Sequence, residues 1–124
     1  MAEAPCVLVV AGLDPSGGAG FIADVRVAER HGCRAVGAIT ALTEQDTVGV
    51  RAVHPVGPGE LHALLTTLLT DVEVAAVKLG MLATAEHAEA VGDALALTAA
   101  PVVWDPILRP TRGQVALLDG DLRR

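Results

Sequence analysis

Aromatic residues are almost missing from this chain of 124 residues, which contains one Phe, one Trp and no Tyr. The hydrophobic fraction is nevertheless 52%, so there is enough apolar surface to bury, and a disordered polypeptide is excluded. This apolar content comes from Ala, Val and Leu. An aliphatic core of this kind favours layered helices and parallel strands over an aromatic-rich β-sandwich.

Basic residues are also scarce. Lys and Arg number 9 against 15 Asp and Glu, which gives a net charge of −6 at pH 7. Nucleic-acid-binding proteins usually carry the opposite sign, because phosphate neutralisation supplies most of their affinity, so we expect no nucleic-acid partner. No apolar run approaches the length of a membrane span and no signal-like segment opens the chain. We therefore expect a soluble, cytoplasmic protein without a membrane partner.

Cysteine is limited to Cys6 and Cys33, each next to an apolar run. We predict that both are buried, reduced thiols rather than a disulfide framework. The chain has no CxxC motif, and its four histidines have no HxxxH spacing, so we predict no metal site built from these residues. It also lacks the G-K-[ST] triplet that a P-loop requires.

What the sequence does contain is an alternation of short apolar runs and amphipathic stretches. The runs predict four buried strands, and a weaker alternation predicts an edge strand. The apolar stripes predict three helices between them, the third with Thr84 as its N-cap. The predicted strands cover residues 6–11, 35–42, 74–77 and 101–104, the edge strand 48–53, and the helices 20–31, 58–69 and 85–95.

Repeated strand–helix–strand units predict an α/β fold with a mostly parallel central sheet and helices on both faces. Near its end the chain runs from Val115–Leu118 into Asp119-Gly120-Asp121, which looks like the approach to another helix. The residues leave two alternatives open: the chain stops midway through a larger fold, or this tail is a surface turn.

Glycine-rich or polar clusters follow every predicted central strand. They are Gly12–Gly20 with Asp24 just beyond, then Thr43–Thr47, Lys78–Met81 and Asp105-Pro106. Because ligands of open α/β sheets bind beyond the carboxyl ends of the strands, this convergence predicts one small-molecule site. Taken singly, Asp24, Gln45 and Met81 are also consistent with a helix first-turn acid, a solvated loop and a core side chain.

The run from Ala11 to Gly20, A-G-L-D-P-S-G-G-A-G, followed by Ala23-Asp24, resembles the opening motif of the hydroxymethylpyrimidine/phosphomethylpyrimidine kinases. These enzymes of thiamine biosynthesis belong to the ribokinase-like superfamily. Further stretches are similar in order and spacing, at residues 39–50, 53–56, 77–82 and 105–106. The resemblance covers only the N-terminal half of the family.

The resemblance implies roles for particular residues. Asp24 and Gln45 would hydrogen-bond an aminopyrimidine, since a carboxylate accepts from an amino group and an amide both donates and accepts. Met81 would pack on the ring with its polarizable thioether. Gly12 and Gly80 would let the backbone approach the ligand closely.

On the nucleotide side, the resemblance implies ATP and Mg²⁺ as cofactors, with Asp105 toward the phosphate and magnesium. The family usually continues with a lysine and a serine before a glycine, whereas this chain reads L-R-P-T-R-G over residues 108–113. No residue of this chain corresponds to the family's catalytic residue or to its glycine-rich anion hole.

The implied function is ATP-dependent phosphorylation of hydroxymethylpyrimidine or its phosphate. Residues 1–124 would form a single truncated ribokinase-like domain, the pyrimidine-binding half, which needs a partner or a C-terminal half to be active. The alternative is a non-catalytic pyrimidine-binding or interaction module derived from such a kinase. Because a half-sheet exposes an edge and a face, we expect a homo-oligomer or a complementary chain.

Overall fold

Strands and helices alternate along the described part of the chain, residues 3–107 and the backbone of residues 118–119, in a computed structural model. The strands are β1 (Cys6–Leu13), β2 (Arg34–Gln45), β3 (Val50–Pro55), β4 (Ala76–Leu79), β5 (Ala83–Thr84), β6 (Val102–Trp104) and β7 (Leu118–Asp119). The helices are α1 (Gly20–Arg30), α2 (Pro58–Asp71) and α3 (Ala85–Leu95).

The main sheet has the strand order β3-β2-β1-β4-β6. Its four strands β2, β1, β4 and β6 are parallel, which confirms the predicted parallel sheet. β3 pairs antiparallel with β2 at one edge. This edge strand begins at Val50 rather than at residue 48, because the carboxylate of Asp46 holds the backbone N–H groups of Val48 and Gly49 in a turn.

Two central strands differ in extent from the prediction. β2 continues to Gln45, so Thr43 and Gln45 are strand residues rather than loop residues. β4 covers Ala76–Leu79 instead of 74–77 and includes Lys78. The apolar pattern misplaced its end because pairing with β1 runs on to Leu79, and the charge of Lys78 has a carboxylate partner nearby.

Helices cover both faces of the sheet, as predicted. On one face, Leu8 and Val10 of β1 join a buried cluster with Leu61 and Leu65 of α2 and with α3. Adjacent strand residues point to opposite faces, and α1 packs on the other face, where Phe21 lies beside Gly37 of β2. The site described below therefore rests on a framework held from both sides.

α3 begins at the predicted N-cap, because the Thr84 hydroxyl accepts a hydrogen bond from the backbone N–H of His87. The His87 side chain is itself buried, 3% exposed. Its Nε2 donates to the Val56 carbonyl and its Nδ1 bonds the Thr84 hydroxyl. This buried imidazole ties the start of α3 to the segment that leads into α2.

Other sequence expectations are met only in part. Leu118–Asp119 forms β7, paired in parallel with β5, so the interpretation of this stretch as the approach to a helix is wrong at these two residues. Residues 108–117 lie outside the described residues. Cys6 is a buried free thiol as predicted, whereas Cys33 is only half-buried. None of the helices in the described ranges is both long and apolar enough to cross a membrane.

Candidate functional site

An open cleft of about 540 Å³ lies at the carboxyl end of the parallel strands. Five of the six residues that the sequence assigned to a site line it, from β1, β2 and the segments after β4 and β6. They are Gly12, Gln45, Gly80, Met81 and Asp105. The structure thus places residues from four strand ends around one cleft.

Asp24 is the sixth predicted residue, and it does not line this cleft. It lies in α1, and its carboxylate accepts a hydrogen bond of 2.6 Å from the Nζ atom of Lys78, which does line the cleft. The two side chains are only 20% and 30% exposed. Asp24 therefore reaches the cleft through Lys78, a residue to which the sequence analysis assigned no role.

The glycine-rich loop is organised by Asp14, which the sequence analysis also left without a role. Its side chain is buried, with 5% exposed. Oδ1 accepts from the backbone N–H of Ser16 at 2.8 Å and from the Ser16 hydroxyl at 2.6 Å, and Oδ2 accepts from the Ala19 N–H at 3.0 Å. The D-P-S-G turn chemistry is the signal that predicts such an Asx turn.

Gly12 and Met81 form one wall of the cleft in close contact. A Cβ atom added at Gly12 would overlap the terminal methyl of Met81, so only glycine fits while Met81 keeps this position. The buried Thr40 hydroxyl donates to the Met81 carbonyl at 2.6 Å and anchors the backbone behind that side chain. The thioether is thereby held where it can cover a flat ring.

Gly80, next to Met81, is also confined, although less tightly than Gly12. A Cβ there would lie 3.1 Å from the Cβ of Ala11 and 3.3 Å from the Nζ of Lys78. The indole Nε1–H of Trp104 donates to the Gly80 carbonyl at 3.0 Å. Trp104 in β6 therefore fixes the backbone of Gly80 at the cleft.

A chain of two hydrogen bonds holds the Gln45 side chain. Its Nε2 donates to the Thr43 hydroxyl at 2.7 Å, and that hydroxyl donates to the Leu13 carbonyl at 2.7 Å. A β-bulge between Glu44 and Gln45 interrupts the pairing with β3 at this point. The extra residue is Arg51 on β3, so β2 itself stays regular, and Thr43 and Gln45 both line the cleft.

Asp46 lies on the rim of the cleft. The backbone N–H of Val48 is the main cause that lowers the pKa of its carboxyl group, helped by the guanidinium of Arg51 and the N–H of Gly49. The Arg51 guanidinium lies 3.1 Å from its Oδ2. Asp46 is thus an ionised residue whose carboxylate is already bonded to Val48, Gly49 and Arg51 of its own loop and strand.

The cleft combines a wall of Met81 flanked by Gly12 and Gly80 with hydrogen-bonding groups of Thr43 and Gln45, which suits a planar heteroaromatic ring. The same residues are less suited to binding the phosphates of a nucleotide. Lys78 is the one cationic side chain among the described residues that line the cleft, and Asp24 already neutralises it. Residues 3–107 contain no group of three or more His, Cys, Asp or Glu side chains that could hold a metal ion. Arg109 and Arg112 lie outside the described residues.

Comparison with known proteins shows the family. The phosphomethylpyrimidine kinase family model matches residues 14–123. The hydroxymethylpyrimidine/phosphomethylpyrimidine kinase of Haemophilus influenzae is 38% identical over 109 residues, which is 87% of this chain and 40% of that protein.

Solved structures of similar proteins agree with this family assignment. A phosphomethylpyrimidine kinase from Clostridium difficile superposes with a TM-score of 0.82 at 31% identity, over 93% of this chain and 50% of that one. The pyridoxal kinase from Staphylococcus aureus in complex with AMP-PCP and pyridoxal gives a TM-score of 0.76 at 30% identity, over 87% of this chain and 41% of that one.

The chain spans about half the length of the relatives it matches or less. The family match confirms the resemblance seen in the sequence motifs. The matched residues of this chain include most of those that line the cleft at the carboxyl end of the sheet. The chain belongs to the phosphomethylpyrimidine kinase family and has the ribokinase-like α/β fold of its structural neighbours.

Proposed function

We propose that this chain is the aminopyrimidine-binding part of a kinase that phosphorylates hydroxymethylpyrimidine or its phosphate in thiamine biosynthesis. One observation carries the proposal. Gly12, Gln45, Gly80 and Met81, which come from distant parts of the sequence, line the same cleft. In this proposal the ring stacks against Met81, and Gln45 bonds its polar edge.

In this proposal Asp24 influences ring binding indirectly, through its hydrogen bond to Lys78. Its carboxylate fixes the ammonium of Lys78 beside Gly80, at the floor of the cleft. A direct bond from the amino group of the ring to Asp24 would require the ring to compete with Lys78 for this carboxylate. Ligand affinity therefore depends on Asp24 whether the carboxylate positions Lys78 or bonds the ring itself.

The residues described here do not fit Mg-ATP on their own. Transfer of a phosphoryl group needs donors aimed at the charge that develops on its oxygens. Among the described residues that line the cleft, the one cationic side chain is Lys78, already paired with Asp24, and Asp105 brings a carboxylate, one of the ligands that a phosphate-bound Mg²⁺ uses. We propose that nucleotide binding requires residues that correspond to the unmatched half of the relatives.

This proposal predicts binding without turnover. The 124-residue chain alone binds hydroxymethylpyrimidine but shows no appreciable phosphate transfer from labelled ATP with magnesium. Addition of a complementary chain that carries the remaining half of a relative restores transfer. Robust turnover by the chain alone would contradict the proposal.

Pyridoxal is a second candidate ligand, because the matching Staphylococcus aureus structure contains pyridoxal. The two rings differ in their polar edges, since hydroxymethylpyrimidine in this pathway carries an exocyclic amino group and pyridoxal does not. Competition titrations of both compounds against the chain separate the candidates. We expect the aminopyrimidine to bind more tightly.

The proposal includes a cytoplasmic location and association with a second copy or a complementary chain. The edge strand β6 supports association, because its Val102, Val103 and Trp104 are 45%, 68% and 37% exposed. An open strand edge with apolar side chains is a template for pairing. Light scattering at micromolar concentration tests this, and a stable monomer would count against it.

A further inference from the structure

We infer that Thr43 is a positioning residue that sets which end of the Gln45 amide meets the ligand, and so makes the cleft selective for a ring with an exocyclic amino group. The inference rests on the proposed function for its ligand. The orientation of the amide itself follows from hydrogen bonds within the chain.

The Leu13 carbonyl can only accept a hydrogen bond. The Thr43 hydroxyl, 2.7 Å away, must therefore donate its single proton to it. Toward its other neighbour, 2.7 Å away, the same hydroxyl oxygen can only accept. The Gln45 group that faces it must then be the NH₂, because a carbonyl oxygen in that place would oppose another oxygen with no proton between them.

The opposite end of the amide is thereby left for the ligand. Nε2 is the end of the amide that bonds to Thr43, and Gln45 lines the cleft, so Oε1 is the end that a ligand meets. The cleft presents an acceptor at this point. An exocyclic amino group donates to it, whereas an oxo group at the same ring position would face an acceptor with an acceptor.

Thr43 and Gln45 lie two positions apart in β2, so their side chains stand on the same face of the strand. The β-bulge at Glu44/Gln45 ends regular pairing with β3 beside them. The relay is therefore built into the strand and does not depend on a mobile surface loop.

The test combines two readouts on four proteins: the wild type, Thr43→Val, Thr43→Ser and Thr70→Val. Valine matches the shape of threonine but lacks the hydroxyl, and serine keeps the hydroxyl. Thr70 lies exposed on α2, where its hydroxyl bonds the Thr66 carbonyl, so Thr70→Val is the matched control for loss of a hydroxyl.

The first readout is the side-chain amide signal of Gln45 in the ligand-free protein, measured by NMR and assigned by its loss in Gln45→Leu. We expect one shifted, protected proton in the wild type, Thr43→Ser and Thr70→Val, and its loss in Thr43→Val. The second readout is the affinity ratio between hydroxymethylpyrimidine and its analogue with an oxo group in place of the amino group. Thr43→Val lowers this ratio about tenfold and Thr43→Ser retains it.

The outcomes separate this inference from the proposed function. If the wild type binds the aminopyrimidine and Thr43→Val changes neither the amide signal nor the ratio, the inference is overturned and the function stands. If the wild type binds neither pyrimidine while its amide signal depends on Thr43, the proposed function falls and the positioning role of Thr43 is upheld.

Discussion

The Lys78 ammonium and the Asp24 carboxylate lie 2.6 Å apart and join β4 to α1 across 54 positions of the sequence. Neither side chain is more than 30% exposed. Removal of either partner therefore leaves a partly buried charge without its counter-ion. The pair connects the helix that follows the glycine-rich loop to the floor of the cleft.

A double-mutant cycle measures this pair. Asp24→Ala and Lys78→Met each lower the free energy of unfolding by about 1–3 kcal/mol, because each leaves the other charge unpaired. The double variant loses less than the sum of the two. Urea denaturation of the four proteins gives the coupling energy, and strictly additive losses would show that the two charges do not interact.

The contact between Gly12 and Met81 leads to a second prediction. Gly12→Ala pushes the terminal methyl of Met81 aside and lowers the free energy of unfolding by about 1–3 kcal/mol through overpacking. It also weakens binding of the ring that Met81 is proposed to cover. Thermal unfolding and ligand titration measure the two effects.

Gly92→Ala is the matched control for that substitution. Gly92 lies in α3, and outside the backbone of that helix a Cβ there meets no atom of the described residues within 4 Å. Because glycine is unfavourable inside a helix, this change stabilises the protein by about 0.5–1 kcal/mol. Equal effects of the two substitutions would contradict the close contact at Gly12.

Asp14 is expected to matter for the order of the glycine-rich loop. Asp14→Ala removes the acceptor for three hydrogen bonds from Ser16 and Ala19 and costs about 2–3 kcal/mol of stability. Asp14→Asn keeps one acceptor oxygen and loses less. Hydrogen exchange of the Ser16 and Ala19 amides reports the loop directly, and unchanged protection in Asp14→Ala would refute this role.

The lowered pKa of the Asp46 carboxyl group predicts that the stability of the protein depends on pH. The hydrogen bond from the backbone N–H of Val48 is the largest of the effects that lower the pKa of Asp46 in the folded state. As the pH falls, the carboxyl group is therefore protonated in the unfolded chain before it is protonated in the folded protein. The stabilising contribution is present above about pH 5 and is lost as the pH falls through the folded-state pKa.

Asp46→Asn removes this titration, so its melting temperature drops less between neutral and acidic pH than that of the wild type. The control is Asp71→Asn at the end of α2, which removes an exposed carboxylate that takes part in no ion pair among the described residues. An identical pH profile for Asp46→Asn and the wild type would contradict the prediction.

Much of the fold could be predicted from the sequence because buried parallel strands leave continuous apolar runs. The runs at Cys6 and Val102 correspond to β1 and β6, and the leucine stripe after Pro58 corresponds to α2. Strand ends were less predictable. Backbone pairing with β1, rather than side-chain polarity, decides that Lys78 and Leu79 belong to β4.

The candidate site was predictable where a motif had a recognisable spacing, as at Gly12 and Gln45. It was not predictable where a role depends on a contact between distant residues. Neither the pairing of Lys78 with Asp24 nor the bond from Thr43 to Leu13 has a local signature, because each is created by the packing of separate elements.

Calorimetric titration of the chain with hydroxymethylpyrimidine tests most directly whether the cleft binds an aminopyrimidine through Gln45 and the Asp24–Lys78 pair, as we propose. We predict saturable binding at one site per chain, weakened by about 1–3 kcal/mol in Gln45→Ala and in Asp24→Ala. The Thr70→Val variant binds as the wild type does. Absence of binding by the folded wild type, or equal affinity in all of these variants, would contradict the account.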